Sequence, residues 1–219
     1  MKRIFIIRHG KTVYNREKRL QGVGADSPLI LNEQELRKYD QLAAYLSQYH
    51  FSQAYSSPLP RARATADLIL ERLTNNSELE AQTIDDLREI AYGQWEGQKR
   101  EDLIKDHFSL FQKVSRREND PGLQALGIED FRLAGQRFAA AIRRIAQNLG
   151  QDENALVFGH GGINQLGIKT LTKNENLLGV RNLSTSIVTE LTDGNFGLDV
   201  YNQTAYLDAV DLNEGNVSI

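Results

Sequence analysis

Short apolar runs separated by stretches of helical periodicity set the plan of this chain. Ile4 to Ile7 is a run of strand-favouring residues, and Ala155 to Phe158 is a second. Ala54-Tyr55-Ser56 and Thr83-Ile84 read as shorter strands. Thr185 to Leu191, Asp193-Gly194 and Phe196 to Tyr201 read as a hairpin at a sheet edge. Helical patterns lie between these runs. Asn32 and Glu35 have the spacing of a capping box, and Leu36, Leu42, Ala43 and Leu46 continue from them. A helix opening at Ser57-Pro58-Leu59-Pro60 puts Ala62, Ala66, Ile69 and Leu73 on one face. Glu129 to Leu149 carries a stripe of Phe131, Ala134, Phe138, Ile142 and Ile145 and should stop at Gly150. A further helix is expected from about Gly162 to Leu171, and residues 96 to 117 read as one or two charged helices laid over the body. The polar, glycine-containing segment from Val13 to Pro28 reads as a long functional loop.

Strands alternating with helices predict an α/β fold: a three-layer, doubly wound, mostly parallel sheet with an antiparallel edge strand and helices on both faces. No Pro/Gly/Ser-rich linker divides the 219 residues, so one domain is expected over 1–219, with 98–135 as a helical cap over the site.

Composition narrows the function. Cysteine is absent, which removes disulfides, thiolate metal sites and a cysteine nucleophile. The apolar runs are too short for a signal-peptide core or a membrane span, so a cytoplasmic protein without a membrane partner is expected. A net charge of −3 argues against nucleic acid as a partner. Charge is unevenly spread, however. Lys2, Arg3, Arg8, Lys11, Arg16, Lys18 and Arg19 face only Glu17 in the first twenty residues, whereas Asp208, Asp211 and Glu214 end the chain without a base. A cationic region on an acidic body suits a small anionic ligand.

Two strand ends carry the candidate chemistry. Arg8-His9-Gly10 follows the first apolar run, and Gly159-His160-Gly161-Gly162 follows the later one. Ligands of open α/β sheets bind at the carboxyl ends of strands. A single histidine there is usually structural; two, each followed by glycine and one preceded by arginine, point to a ligand. Gly161-Gly162 offers backbone N–H groups at a helix start, a ready anion site. Arg61 and Arg63 stand near a second helix start, and the arginine fork suits phosphate oxygens. Gly10-Lys11-Thr12 is not a nucleotide P-loop, because Phe5 sits where that motif needs glycine. Neither His-Glu-x-x-His nor a calcium-loop pattern occurs, and His50 and His107 lack chemical company, so no metal site and no cofactor is expected.

Together these segments resemble the histidine phosphatase superfamily, the phosphoglycerate mutase-like proteins. The matching residues are Arg8 to Thr12 with Asn15, Ser56 to Ala66, Leu87 to Gly97 and Gly159 to Gly162, in the family's order. The resemblance implies that His9 is a nucleophile forming a phosphohistidine, with Arg8, Arg61 and His160 neutralising the transferring phosphoryl group. It implies that Glu89 protonates the leaving oxygen and then takes a proton from water. Asn15, the Gln21-Gly22 loop and Gly161 would add neutral contacts to the substrate. Gly93-Gln94-Trp95-Glu96-Gly97 and Arg19-Leu20-Gln21-Gly22 resemble the bacterial broad-specificity and α-ribazole phosphatase branch. The expected function is therefore a metal-independent phosphatase acting on a small phosphorylated substrate. A cofactor-dependent phosphoglycerate mutase stays open, with Arg116-Arg117 as a possible clamp, as does a binding protein that merely kept the pocket. Lys11 departs from the glutamate or glutamine common in the family and adds charge at the rim. A homodimer is the assembly considered, and nothing in the sequence decides it.

Overall fold

A computed structural model describes residues 1–75 and 78–210. Asp211 and Glu214 of the acidic tail lie outside the described residues. Strands β1 (Arg3–Arg8), β2 (Gln53–Ser56), β3 (Ala81–Thr83), β4 (Asn154–Gly159), β5 (Thr185–Glu190) and β6 (Phe196–Gln203) form one sheet. Their order is β3-β2-β4-β1-β5-β6. The pairs β1 with β4, β4 with β2 and β2 with β3 are parallel. β5 runs antiparallel to β1, and β6 antiparallel to β5. The helices are α1 (Val13–Arg16), α2 (Glu33–Leu46), α3 (Pro60–Leu70), α4 (Arg100–Arg116), α5 (Pro121–Ala125), α6 (Phe131–Asn148) and α7 (Gly161–Thr172).

Successive residues of a strand point to opposite faces, and the two central strands bury both. Ile4, Ile6, Ala155 and Val157 pack on one side with Phe138 and Ile142 of α6 and Ile163 of α7. Phe5, Ile7, Leu156 and Phe158 pack on the other with Tyr39 and Leu42 of α2 and Ala66 and Ile69 of α3. These side chains are at most 1 % exposed, and burying each of the valine, leucine, isoleucine and phenylalanine side chains contributes about 1.5–3 kcal/mol. Hence β1 and β4 read as continuous apolar runs, and the three-layer expectation holds.

Several local expectations shift. The 13–28 segment is not all loop, because Thr12 and Asn15 cap each other and start the single turn of α1. Asn32 caps α2 by accepting from the Glu35 N–H, but Glu35 turns its carboxylate to Lys38 at 2.9 Å instead of closing the box. The third strand ends at Thr83, so Ile84 lies past it. α3 stops at Leu70, and Leu73 is buried from beyond its end. α6 ends on an extended Leu149, and Gly150 does not take the left-handed conformation expected of a terminating glycine. α4 is one helix interrupted at His107 (φ −137°, ψ 38°), whose ring stacks 5.7 Å from that of Trp95. Among the described residues no helix is long and apolar enough to cross a membrane.

Candidate active site

In the β1–β4 pairing Arg8 stands opposite Gly159, so both strands leave the sheet at one edge, each just before a histidine. The His9 N–H donates to the Gly159 carbonyl at 3.0 Å. The imidazoles of His9 and His160 meet edge to face, 5.2 Å between centroids and tilted by 60°. β2 ends on the other side of β4, where the Ser57 N–H donates to the Phe158 carbonyl at 2.9 Å. That places Ser57 Oγ 2.7 Å from Nε2 of His160. From Ser57 the chain turns into α3, whose first turn brings in Arg61.

His9 Nδ1 lies 2.7 Å from the Gly10 carbonyl oxygen. A carbonyl only accepts, so Nδ1 carries the proton and the lone pair sits on Nε2. The backbone behind this ring is held by Asn182, whose Nδ2 donates to the carbonyls of His9 (2.8 Å) and Gly10 (3.2 Å). Burial, and then the charges of Arg61 and Arg8, hold the His9 imidazole well below the usual histidine range against the opposing Gly10 bond. Burial also lowers His160 well below that range, followed by Arg61, His9, Arg8 and Arg137. Both imidazoles are therefore neutral near neutral pH. Nδ1 of His160 is buried and has no hydrogen-bond partner among the described residues.

Arg8 donates through Nη1 to the Val180 carbonyl at 2.6 Å and lies against Gly161, where a Cβ would come within 3.1 Å of its Nε. The Arg61 side chain is fully buried; Nη1 donates to Asp26 at 2.6 Å and Nη2 to the Gly22 carbonyl at 2.9 Å. Glu89 accepts from the N–H groups of Ile90 (2.9 Å) and Ile163 (2.8 Å) on Oε1, and of Gly162 (3.0 Å) on Oε2. Of the Gly161 and Gly162 amides that the sequence offered to an external anion, that of Gly162 is thus taken by Glu89, together with that of Ile163. Its carboxyl is fixed at the start of α7.

A cleft of about 840 Å³ opens here. Arg8, His9, Asn15, Gln21, Arg61, Glu89 and Gly161 border it, whereas His160, fully buried, and Gly22 do not. Gln21 is already engaged at both ends, accepting from Thr12 and donating to Ser27 at 3.0 Å each. Asn15 Oδ1 is occupied by Thr12, which leaves its Nδ2 as the end available to a ligand. Lys11, Lys18, Arg100 and Arg117 extend the cationic lining, with Glu17 and Glu101 as opposing acids. Arg117 also bonds Tyr92 Oη (2.9 Å) and Gln165 (3.3 Å), while Arg116 is exposed and stands outside the cleft. Among the described residues no group of three or more histidine, aspartate or glutamate side chains is placed to hold a metal ion.

Sequence reasoning assigned no role to Ser57, Asp26, Asn182, Glu96 or Arg137. Ser57 and Glu96 stood inside matched segments, but nothing local marked their partners. Asp26 and Asn182 act across 35 and 173 positions of chain, and only the fold brings them to Arg61 and His9.

The chain as a whole is similar to known proteins. The family model described as "Histidine phosphatase superfamily (branch 1)" matches residues 4–204. Fructose-2,6-bisphosphatase TIGAR of Xenopus tropicalis is 39% identical over 98 residues, which is 45% of this chain and 35% of that protein. Sedoheptulose 1,7-bisphosphatase of Saccharomyces cerevisiae is 30% identical over 173 residues, 73% of this chain and 63% of that protein. The matched stretches thus span 35% and 63% of the lengths of these curated relatives. Among solved structures, phosphoglycerate mutase from Bacillus anthracis is 31% identical, with a TM-score of 0.75 and 94% of each chain covered.

Proposed function

The chain belongs to the histidine phosphatase superfamily, and on that premise we propose that it is a metal-independent phosphomonoesterase acting on a small phosphorylated metabolite through a phosphohistidine at His9. The observation that carries this reading is the bond from His9 Nδ1 to the Gly10 carbonyl, in a site where burial and two guanidinium groups keep the ring neutral. It leaves Nε2 as an unprotonated nucleophile on the remaining edge of the ring.

In the first step the Nε2 lone pair forms a bond to phosphorus while the ester P–O bond breaks. The leaving oxygen takes a proton from Glu89. Oε1 already accepts two N–H bonds and Oε2 one, so Oε2 is the oxygen with a lone pair left for that proton. In the second step water attacks phosphorus, Oε2 takes back a proton, and the N–P bond breaks. Arg8 and Arg61 neutralise the transferring oxygens, the main service a protein renders to this reaction, and Nδ1–H of the neutral His160 ring adds an uncharged donor. Ser57 donates its hydroxyl hydrogen to Nε2 of His160, which puts the imidazole proton on the partnerless Nδ1. Residues 98–135 form the cap that selects the substrate, with Arg100 and Arg117 presenting cations to its distal part.

The likeness to a phosphoglycerate mutase favours one second reading, a mutase that returns the phosphoryl group to a hydroxy-acid phosphate. One assay separates the two. The protein is incubated in EDTA with p-nitrophenyl phosphate, and separately with 3-phosphoglycerate and catalytic bisphosphoglycerate. Phosphate release from the first, with acid-labile phosphate trapped on the protein and lost in His9→Ala, is the expected result. Isomerisation without release selects the mutase, and no turnover of either selects the binding protein.

A further inference from the structure

Glu96 lies outside the chemistry described above, yet its carboxylate accepts four backbone N–H bonds. Oε1 takes those of Val23 (3.1 Å) and Tyr92 (2.9 Å), and Oε2 those of Gly24 (2.6 Å) and Ala25 (2.9 Å). Three of the donors are consecutive residues of one loop. The loop has been shaped around the carboxylate: a Cβ on Gly22 would lie 2.0 Å from Oε1, and one on Gly24 3.0 Å from Oε2. The two residues that flank this tripeptide are the ones that hold Arg61. The Gly22 carbonyl accepts from Nη2, and Asp26, one residue past Ala25, accepts from Nη1. These are the only bonds to the fork of Arg61 among the described residues, and its Nε is buried without a partner.

We infer that Glu96 is a positioning residue for the phosphoryl site: it folds the 22–26 loop around its carboxylate so that Gly22 and Asp26 aim the Arg61 guanidinium at the bound oxyanion. Arginine's fork is planar, and two fixed acceptors set both its location and its plane. Charge-assisted bonds to one carboxylate replace the side-chain packing that a glycine-containing loop lacks. Loss of the strap would leave Arg61 charged and present but without a fixed direction. Preorganised donors stabilise a transition state because they need no reorganisation when charge develops, so the loss falls on catalysis and oxyanion binding.

The inference rests on the phosphatase reading, and two readouts keep the two apart: turnover of p-nitrophenyl phosphate, and orthovanadate affinity by calorimetry, which needs no turnover. Glu96→Gln keeps size but turns an amide NH2 towards backbone N–H groups. It should lower kcat/KM and vanadate affinity about tenfold each. In an Arg61→Lys background, which keeps the charge but not the fork, the same change should add less than about twofold. Equal losses in both backgrounds, or unchanged vanadate affinity in Glu96→Gln, overturn the proposal. If Glu96→Gln does not fold, Gly24→Ala is the milder probe, since its Cβ crowds Oε2 from an exposed loop position. It should weaken vanadate about threefold, and only where Arg61 is present; an unchanged affinity is equally fatal. Wild-type protein that binds vanadate without turning over the ester would remove the phosphatase reading and leave the strap standing.

Discussion

Ser57 Oγ sits 2.7 Å from Nε2 of His160, and neither residue is more than marginally exposed. A hydroxyl that donates its hydrogen to that nitrogen holds the proton of the neutral imidazole on Nδ1, the tautomer proposed for His160. Ser57→Ala should cost about 1–3 kcal/mol of stability for the unpaired nitrogen and lower kcat about tenfold or more. Nitrogen NMR of the ring is the check. A wild-type-like tautomer in the variant would remove the role given to Ser57.

Gly162 is the position where a side chain would meet Glu89, with a Cβ 2.9 Å from both Oε1 and the Tyr92 hydroxyl. Gly162→Ala should therefore mimic Glu89→Gln. Both should slow alkyl phosphates about a hundredfold but p-nitrophenyl phosphate only a few-fold, because a good leaving group needs little protonation. Equal slowing of the two substrate types would count against the acid at Glu89.

Both site histidines have folded-state values below those of the unfolded chain. As pH falls through 6.5 the unfolded chain binds protons that the native site refuses, so stability falls with pH from 6.5 downward. Each histidine contributes a slope of up to about 1.4 kcal/mol per pH unit until its folded value is reached. Urea midpoints between pH 6.5 and 5 should drop accordingly, and the drop should be smaller in His9→Asn. The acid limb of kcat/KM should also lie below pH 6.5; a limb above that value would show an imidazolium at rest.

Arg137 on α6 binds Glu129 through two bonds (2.8 and 3.0 Å) and donates to the carbonyls of Asp86, Arg88 and Glu89. Burial pushes the Glu129 carboxyl up, but Arg137 and the Ala91 N–H bring it below the usual range overall. Arg137→Met should cost about 3 kcal/mol, since it strands a mostly buried carboxylate. It should also loosen the backbone on both sides of Glu89. Hydrogen exchange at Ile90 and Ala91 should rise; unchanged protection there would make Arg137 a matter of global stability alone.

The strands and long helices were legible because periodicity reports burial directly. β1 and β4 are covered on both faces and show unbroken apolar runs, and the α6 stripe is the face that packs on the sheet. Cap chemistry was less legible. Asn32 fulfilled half of its box, because Glu35 found Lys38 one turn on. The two histidines met as expected, since parallel pairing of neighbouring strands brings equivalent ends together. What stayed hidden was who occupies whom. Gly161-Gly162 looked like an open anion site, and only the fold shows the carboxylate of Glu89, 73 positions away, already seated at Gly162. Long-range partners of this kind leave no spacing to read.

The first strand of the chain is also an inner one, flanked by β4 and β5. Its neighbours arrive roughly 150 and 180 residues later, so its ladder is closed only by contacts very distant in sequence. Nascent chains released before the fourth strand would expose a sticky apolar stretch with no neighbour to pair it, and would be prey to aggregation or proteolysis. His9, the proposed nucleophile, follows directly on that stretch. The meeting of His9 with His160 that the proposed chemistry uses therefore waits until the fourth strand has been made.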